Sequence, residues 1–465
     1  MLSPPGGFPL ETTQAYTKTT WNENKAGMAI LKVGLIQIFL PVMVAGCSFL
    51  PALSPVTTPL QSQAAKAKQA QADLLDQPQK WPHLLNSKRY PLTVRYLLPG
   101  DKSQAERVMG YLEKSWQIEI EQMGFPPPIP SDSTGSKRLQ VYLMRGADTA
   151  VEATRPSKNK EIWWDAWESY LSIDAWGPYG GEILDSTTAH EFNHALHAAL
   201  DWYESPGFFE TSATFIQDKV YPEDNDYLQQ IEDFQSRPEW PVHHFDNYKT
   251  WYPYGASLYL FFLEQRYFAK QPHFLAQIWK NSRNKPRPFD PKTGYPSPGS
   301  NEPDWVDALE GLLPRGVDYA QTVVEFARWR WYTGRQSDGK HFHEGALLSP
   351  KAEVKIQSTL LPGQTYRSQG PLPLGSEYLR LKRPANGQKL QIKLQAEGRF
   401  ALQLVPGLSP NSDGEMLGPT GLVEFGDLTE RTLILTALPP ADRPVDPDLT
   451  AGKPQAFQIL CTQVP

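Results

Sequence analysis

His190-Glu191-Phe192-Asn193-His194 constrains this chain more than any other stretch of its 465 residues. Positions i and i+4 of an α-helix share a face, so the two imidazoles of such a run converge on one point. Paired nitrogens at that spacing suit a zinc ion, and a glutamate beside them suits deprotonation of a water activated there, so the pattern predicts a zinc-dependent hydrolase. The flanks predict that the run is helical. Residues 182–189 supply short polar N-cap candidates, and Thr188 followed by Glu191 has capping-box spacing. The helix then continues through Ala195-Leu196-His197-Ala198-Ala199-Leu200 and stops before the breaker Ser205-Pro206-Gly207.

A catalytic zinc site commonly takes three protein ligands and keeps one position open. A second helix is predicted from about Phe208, with Glu210 on its apolar-rich, inward side. A helix, a tight turn and an antiparallel second helix would return Glu210 to the side of His194. Glu204 and His197 are the other candidates, but Glu204 falls in the turn and His197 stands about 300° around the helix from His194. A third His or Asp six residues beyond the second His, the metzincin requirement, is missing because that position is Leu200.

The run from His190 to His197, then Phe209-Glu210-Thr211-Ser212-Ala213-Thr214, Asp218, Val220-Tyr221-Pro222 and Asp226-Tyr227-Leu228, resembles a family of secreted bacterial gluzincin metalloproteases. In that family an HEFFHA helix is followed by a W-x-x-E-G-x-A helix, an acidic V-Y-P segment and a D-Y motif. The similarity continues through Tyr254-Gly255-Ala256-Ser257-Leu258, Glu264-Gln265-Arg266-Tyr267, Ile278-Trp279 and Trp331-Tyr332-Thr333-Gly334-Arg335, and covers residues 90 to 345. The resemblance implies a zinc peptidase with Zn2+ held by His190, His194 and Glu210, Glu191 as general base, and a peptide or protein substrate. It also implies a Tyr or His that donates to the oxyanion; Tyr252, Tyr254, His243 and His244 are candidates, and Tyr254 is preferred. Three departures stand out. Asn193 replaces a Phe, Thr211 replaces a Gly, and Thr214 stands where an Asp often orients a zinc-bound His. Support for the ligands is therefore expected from Asp218 or a backbone carbonyl. The interval between His194 and Glu210, residues 195–209, is also shorter than in the best-known gluzincins.

The N-terminal region predicts a location. Residues 33–46 form an apolar run preceded by Lys25 and Lys32, too short for a membrane helix of about 20 residues but suited to a signal-peptide core. Val44-Ala45-Gly46-Cys47 matches a bacterial lipobox, which predicts cleavage before Cys47, a lipid on its sulfur, and translation from Met28. Ser48 after that cysteine resembles lipoproteins sent to an outer membrane. Cys461 is the other cysteine of the chain, so lipidation of Cys47 excludes an intrachain disulfide. Removing residues 1–46, with three basic and two acidic residues, leaves 42 Lys+Arg against 49 Asp+Glu. An acidic chain without a basic block interleaved with aromatics is not built for nucleic acid.

The domain reading is a signal region over 1–46, a lipidated N-terminus and tether over 47–85, a zincin-like metallopeptidase domain over 86–348, and a C-terminal domain over 349–465. The fold class is α+β: a small mixed sheet with the motif helix, a helical lobe, then a β-sandwich. Strands are expected at residues 92–97, 139–144 and 169–174, and helices at 103–123, 255–268, 272–281 and 316–332. Ser169–Asp174 is either an edge strand open to substrate backbone or an interior strand. Short alternating strands follow near residues 378–381, 390–394, 400–404, 431–436 and 456–460. Residues 285–303 form a Pro/Gly/Ser-rich excursion, and His341-Phe342-His343-Glu344 reads as a solvated loop. The alternative to a peptidase is a catalytically inactive zincin-fold surface lipoprotein acting as a binding module.

Overall fold

Apolar runs between residues 83 and 174 pair into one mixed sheet. Its strands are β1 (His83–Asn86), β2 (Leu92–Tyr96), β3 (Leu139–Met144), β4 (Ala150–Pro156) and β5 (Trp167–Asp174), in the order β1-β2-β3-β5-β4. β2, β3 and β5 run parallel, whereas β1 and β4 are antiparallel to their neighbours. In this computed structural model the described residues are 74–75, 77–131, 135–146, 149–177, 181–285, 301–348, 350–385, 389–409, 411–440, 445–448 and 452–465. The signal region, Cys47, most of the tether and residues 286–300 of the excursion lie outside them. Among the described residues no helix is long and apolar enough to cross a membrane.

Parallel strands need cover on both faces, and every residue of β2, β3 and β5 is buried. Helices α1 (Lys102–Ser115) and α2 (Leu184–Leu200) cover one face through Leu139, Val141, Leu171 and Ile173. A smaller cluster of Trp81, Tyr142, Met144 and Tyr170 covers the other. β5 is therefore an interior strand, and the edge next to it is β4, which the sequence pattern does not announce. The helix expected over 103–123 is α-helical to Ser115 and π-helical over Trp116–Gln122. That wider turn carries Glu119, fully buried, to the Asn193 amide of α2, which donates to it at 3.0 Å.

The helical part continues with α3 (Pro206–Val220), α4 (Ile231–Gln235), α5 (Tyr252–Gly255), α6 (Ser257–Arg266), α7 (Phe274–Asn281), α8 (Trp305–Glu310) and α9 (Tyr319–Trp329). The single helix expected from Gly255 begins earlier, because Pro253 sits in the first turn of a short α5, and it breaks at Ala256. Gly255 has a contact reason: a Cβ there would meet the Gln230 carbonyl at 2.6 Å and Phe234 Cβ at 2.7 Å. This close approach presses α5 onto α4 and sets the position of Tyr254.

From Ser358 the described chain forms strands in two antiparallel-rich sheets, β11-β10-β13-β8-β6 and β12-β9-β14-β7. Their ranges are β6 (Ser358–Leu360), β7 (Thr365–Ser368), β8 (Ser376–Lys382), β9 (Lys389–Ala396), β10 (Arg399–Val405), β11 (Glu415–Leu417), β12 (Thr420–Val423), β13 (Glu430–Leu438) and β14 (Phe457–Val464). Leu379, Leu402 and Leu433 of one sheet and Ile392, Val423 and Ile459 of the other share one core. These sheets are bonded to α9: Tyr378 Oη donates to the Ala327 carbonyl at 2.6 Å and Gln403 Nε2 to the Val324 carbonyl at 2.8 Å. His341 belongs to the same junction. It is 5% exposed, stacks on Tyr332 with ring centres 4.2 Å apart, and lies 3.0 Å from Asp338 and 3.3 Å from Asp413. The solvated loop expected there is instead a packed corner between the helical and strand regions.

Burial drives the Glu119 carboxyl well above its usual range, so it sits neutral against Asn193. Asn193→Leu would leave that carboxyl without its amide donor, and is expected to lower unfolding free energy by about 1–3 kcal/mol in urea titrations; an unchanged midpoint contradicts the pairing.

Candidate metal centre

Helix α2 is buried from Ser186 to Leu200, so tertiary packing rather than local capping decides where it starts. It begins at Leu184 with Ile183 as N-cap, and the expected cap Thr188 is interior, its hydroxyl donating to the Leu184 carbonyl at 2.6 Å. Residues 201–205 turn the chain, and Pro206 opens α3 in the first-turn position where a missing N–H costs nothing. The two helices pack antiparallel, and Glu210 returns to the histidines.

His190 Nε2 and His194 Nε2 stand 3.1 Å apart, and Glu210 Oε2 lies 3.2 Å from the first and 3.5 Å from the second. Donors bound at about 2.0–2.1 Å around a tetrahedral zinc stand about 3.3 Å from one another, so this triangle has the edges of one face of such a site. All three side chains are buried, His190 being 4% exposed and the others 0%. The group could hold a metal ion.

Two hydrogen-bond chains decide which ring nitrogens carry protons. Gln217 Nε2 donates to the Asp226 carboxylate at 3.1 Å, so Gln217 Oε1 faces His190 Nδ1 at 2.9 Å and must accept from it. Behind His194, the Ser212 hydroxyl donates to the Phe208 carbonyl at 2.6 Å, which leaves Ser212 Oγ to accept from His197 Nε2 at 3.3 Å. His197 Nδ1 then accepts from His194 Nδ1 across 3.4 Å. Each chain ends on an acceptor, so both Nε2 atoms present lone pairs to each other. Lone pairs 3.1 Å apart repel unless a cation lies between them, which is the arrangement of a metal site.

Charge agrees. Burial raises Glu210, whereas positive charge at the His194 and His190 rings lowers it, so this carboxylate favours a cation at the point where the three groups meet. Burial lowers His194, and lowers His197 further, so neutral imidazoles are favoured. Behind the ligands is an aromatic wall: Trp279 stacks on His197 at 3.9 Å, meets Phe209 edge-on at 5.1 Å, and stacks on Phe208, which stacks on Trp305 at 4.5 Å.

The other sequence candidates fall in different places. Glu191 follows His190 on α2 and is 1% exposed. Tyr254 lies against the site, its ring stacked on His190 with centres 5.9 Å apart. Burial, then the charges of Glu210, Tyr248 and Glu191, push its phenol well above the usual range, so it stays protonated. Tyr252 points elsewhere, donating to the Trp240 and Pro241 carbonyls at 2.9 and 3.0 Å. His243 faces Tyr319, and burial pulls it down to about 4, while His244 packs on Trp240. Glu204 stays in the turn, outside the ligand group. Asp218, expected behind the ligands, is not the partner; its neighbour Gln217 is. The signal was present in the spacing, since Gln217 lies seven residues after Glu210, two turns along the same helix face.

Comparison with protein-family models and with characterised proteins finds no match for this chain, so its site is interpreted from its own geometry.

Gln217→Leu removes the acceptor that fixes His190. Metal affinity is expected to fall about 10- to 100-fold in competitive chelator titrations with the fold intact by circular dichroism; unchanged affinity contradicts the role.

Proposed function

We propose that this protein is a gluzincin-type zinc metallopeptidase of the bacterial cell envelope, anchored by a lipid on Cys47. The observation that carries the reading is the convergence of two imidazole lone pairs and one carboxylate beside Glu191 on the same helix. Nitrogen and oxygen donors with three protein ligands fit a catalytic zinc ion. His190, His194 and Glu210 would hold it, and it would supply Lewis acidity that polarises a scissile carbonyl and lowers the pKa of a water.

The chain's own groups do the rest. Glu191 takes a proton from the attacking water and passes it to the departing amine. The Tyr254 phenol, kept neutral by burial and neighbouring carboxylates, donates a hydrogen bond to the developing oxyanion. The Gln217 and His197 chains hold the ligand rings, and the Trp279 wall keeps water from their backs. The small mixed sheet followed by the α2–α3 hairpin fits a zincin-like core. The two sheets with one shared core fit an appended β-sandwich, whose role we infer to be binding or spacing.

One observation favours a second reading, a binding module that cleaves nothing: His190 and Tyr254 are each 4% exposed and Glu191 1%, so the described residues close over the site. Hydrolysis decides between the two. The purified chain is expected to carry one zinc and to cleave casein or a broad peptide library. Glu191→Gln should keep the zinc and lose about 10²- to 10⁴-fold in rate, and Tyr254→Phe about 10²- to 10³-fold, mainly in kcat. A zinc-loaded wild type that cleaves no peptide contradicts the peptidase and leaves the binding module.

A further inference from the structure

A second group of potential ligands lies at the far end of the aromatic wall. Carboxylate oxygens of Glu302, Asp304 and Asp446 lie within 4.8 Å of one another. Glu204 comes from the turn between α2 and α3, Glu302 and Asp304 from the entry to α8, and Asp446 and Asp448 from the connection between β13 and β14. Val445 packs on the main core and brings that connection back from the strand region. Among the described residues none of these five carboxylates forms an ion pair.

An acidic cluster alone proves nothing, but one member is buried with a carboxylate oxygen that no hydrogen bond satisfies. Glu204 is 2% exposed, accepts from the Ser205 N–H through Oε1 and has the Trp305 N–H facing its carboxylate, whereas its Oε2 is buried without a hydrogen-bond partner. The carboxylates that act most strongly on it are Asp304 and Asp448. Asp304, itself 1% exposed, uses Oδ1 to cap α8 through the Val306 and Asp307 N–H groups. Burial and mutual repulsion raise Asp304 and Asp448 to about 7 and Glu302 to about 8. Such a cluster stays protonated or takes up a cation.

We propose that Glu204, Glu302, Asp304, Asp446 and Asp448 form a calcium site that ties the α2–α3 turn and the entry to α8 to the β13–β14 connection. The donors are all hard carboxylate oxygens from separate segments, with no nitrogen or sulfur. Oxygens around calcium at about 2.3–2.6 Å stand up to about 5 Å apart, whereas magnesium demands a tighter octahedron and keeps its waters. The ion would clamp the turn that joins the two ligand-bearing helices, so it acts on stability rather than on the chemistry.

The test is a thermal melt of the purified full chain with zinc held constant, comparing added calcium, added magnesium and neither. Calcium is expected to raise Tm by roughly 3 °C or more and magnesium by clearly less. The Asp446→Asn/Asp448→Asn variant should lose the calcium response while melting without calcium at or above the wild-type temperature, because it removes like-charge repulsion. Terbium luminescence, sensitised by Trp305 next to Asp304 and displaced by calcium, reads the same site in the wild type alone. A wild type whose Tm ignores calcium and that shows no sensitised terbium signal overturns the proposal. So does an equal response to magnesium, or a double variant that responds as wild type.

Discussion

The direction of two short hydrogen-bond chains underlies the whole site. Asp226 can only accept from Gln217, and the Phe208 carbonyl can only accept from Ser212. Those two end points set every proton between them and the ring nitrogens of His190 and His194. With both Nε2 atoms bare and 3.1 Å apart, and beside them a buried carboxylate that positive charge stabilises, the three groups together favour a cation. A hydrophobic isostere could pack there, but it would not need an oriented glutamine, a third histidine and a serine behind it.

That constraint explains the surrounding architecture. The hairpin of α2 and α3 must be buried to keep water from competing for these bonds, and Trp279, Phe208 and Phe209 bury it. The sheet supports α2 from one side through Leu171 and Ile173, and the π-helical turn carries Glu119 to Asn193. Asn193 looks like a flaw when compared with the resembled HEFFHA helix. In the structure it is half of a buried pair, donating its amide to the Glu119 carboxyl.

Much of this was legible in the sequence, and what was missed has a common cause. The spacing of His190 and His194, and the Ser205-Pro206-Gly207 turn that returns Glu210, are local regularities with one geometric outcome. Tyr254 was one of four candidates that the resemblance suggested, and the close contact of Gly255, which no sequence pattern records, is what sets its position. The start of α2 was misplaced because Thr188 has capping chemistry, yet burial of the whole segment outweighs a cap. Support for the ligands was expected from Asp218 or a backbone carbonyl, and Gln217 faces His190 instead; one residue along a helix is 100° of rotation, and only the packing of α3 decides which side chain does so. His341 and the edge strand β4 depend on contacts between distant segments that no local pattern records.

The most direct test of the central claim is a crystal structure of the purified protein with anomalous data on both sides of the zinc edge. One edge-dependent peak is expected about 2.0–2.1 Å from His190 Nε2, His194 Nε2 and a Glu210 oxygen, with His197 outside the coordination shell. No such peak, or a peak bound through His197 or without Glu210, would contradict the account.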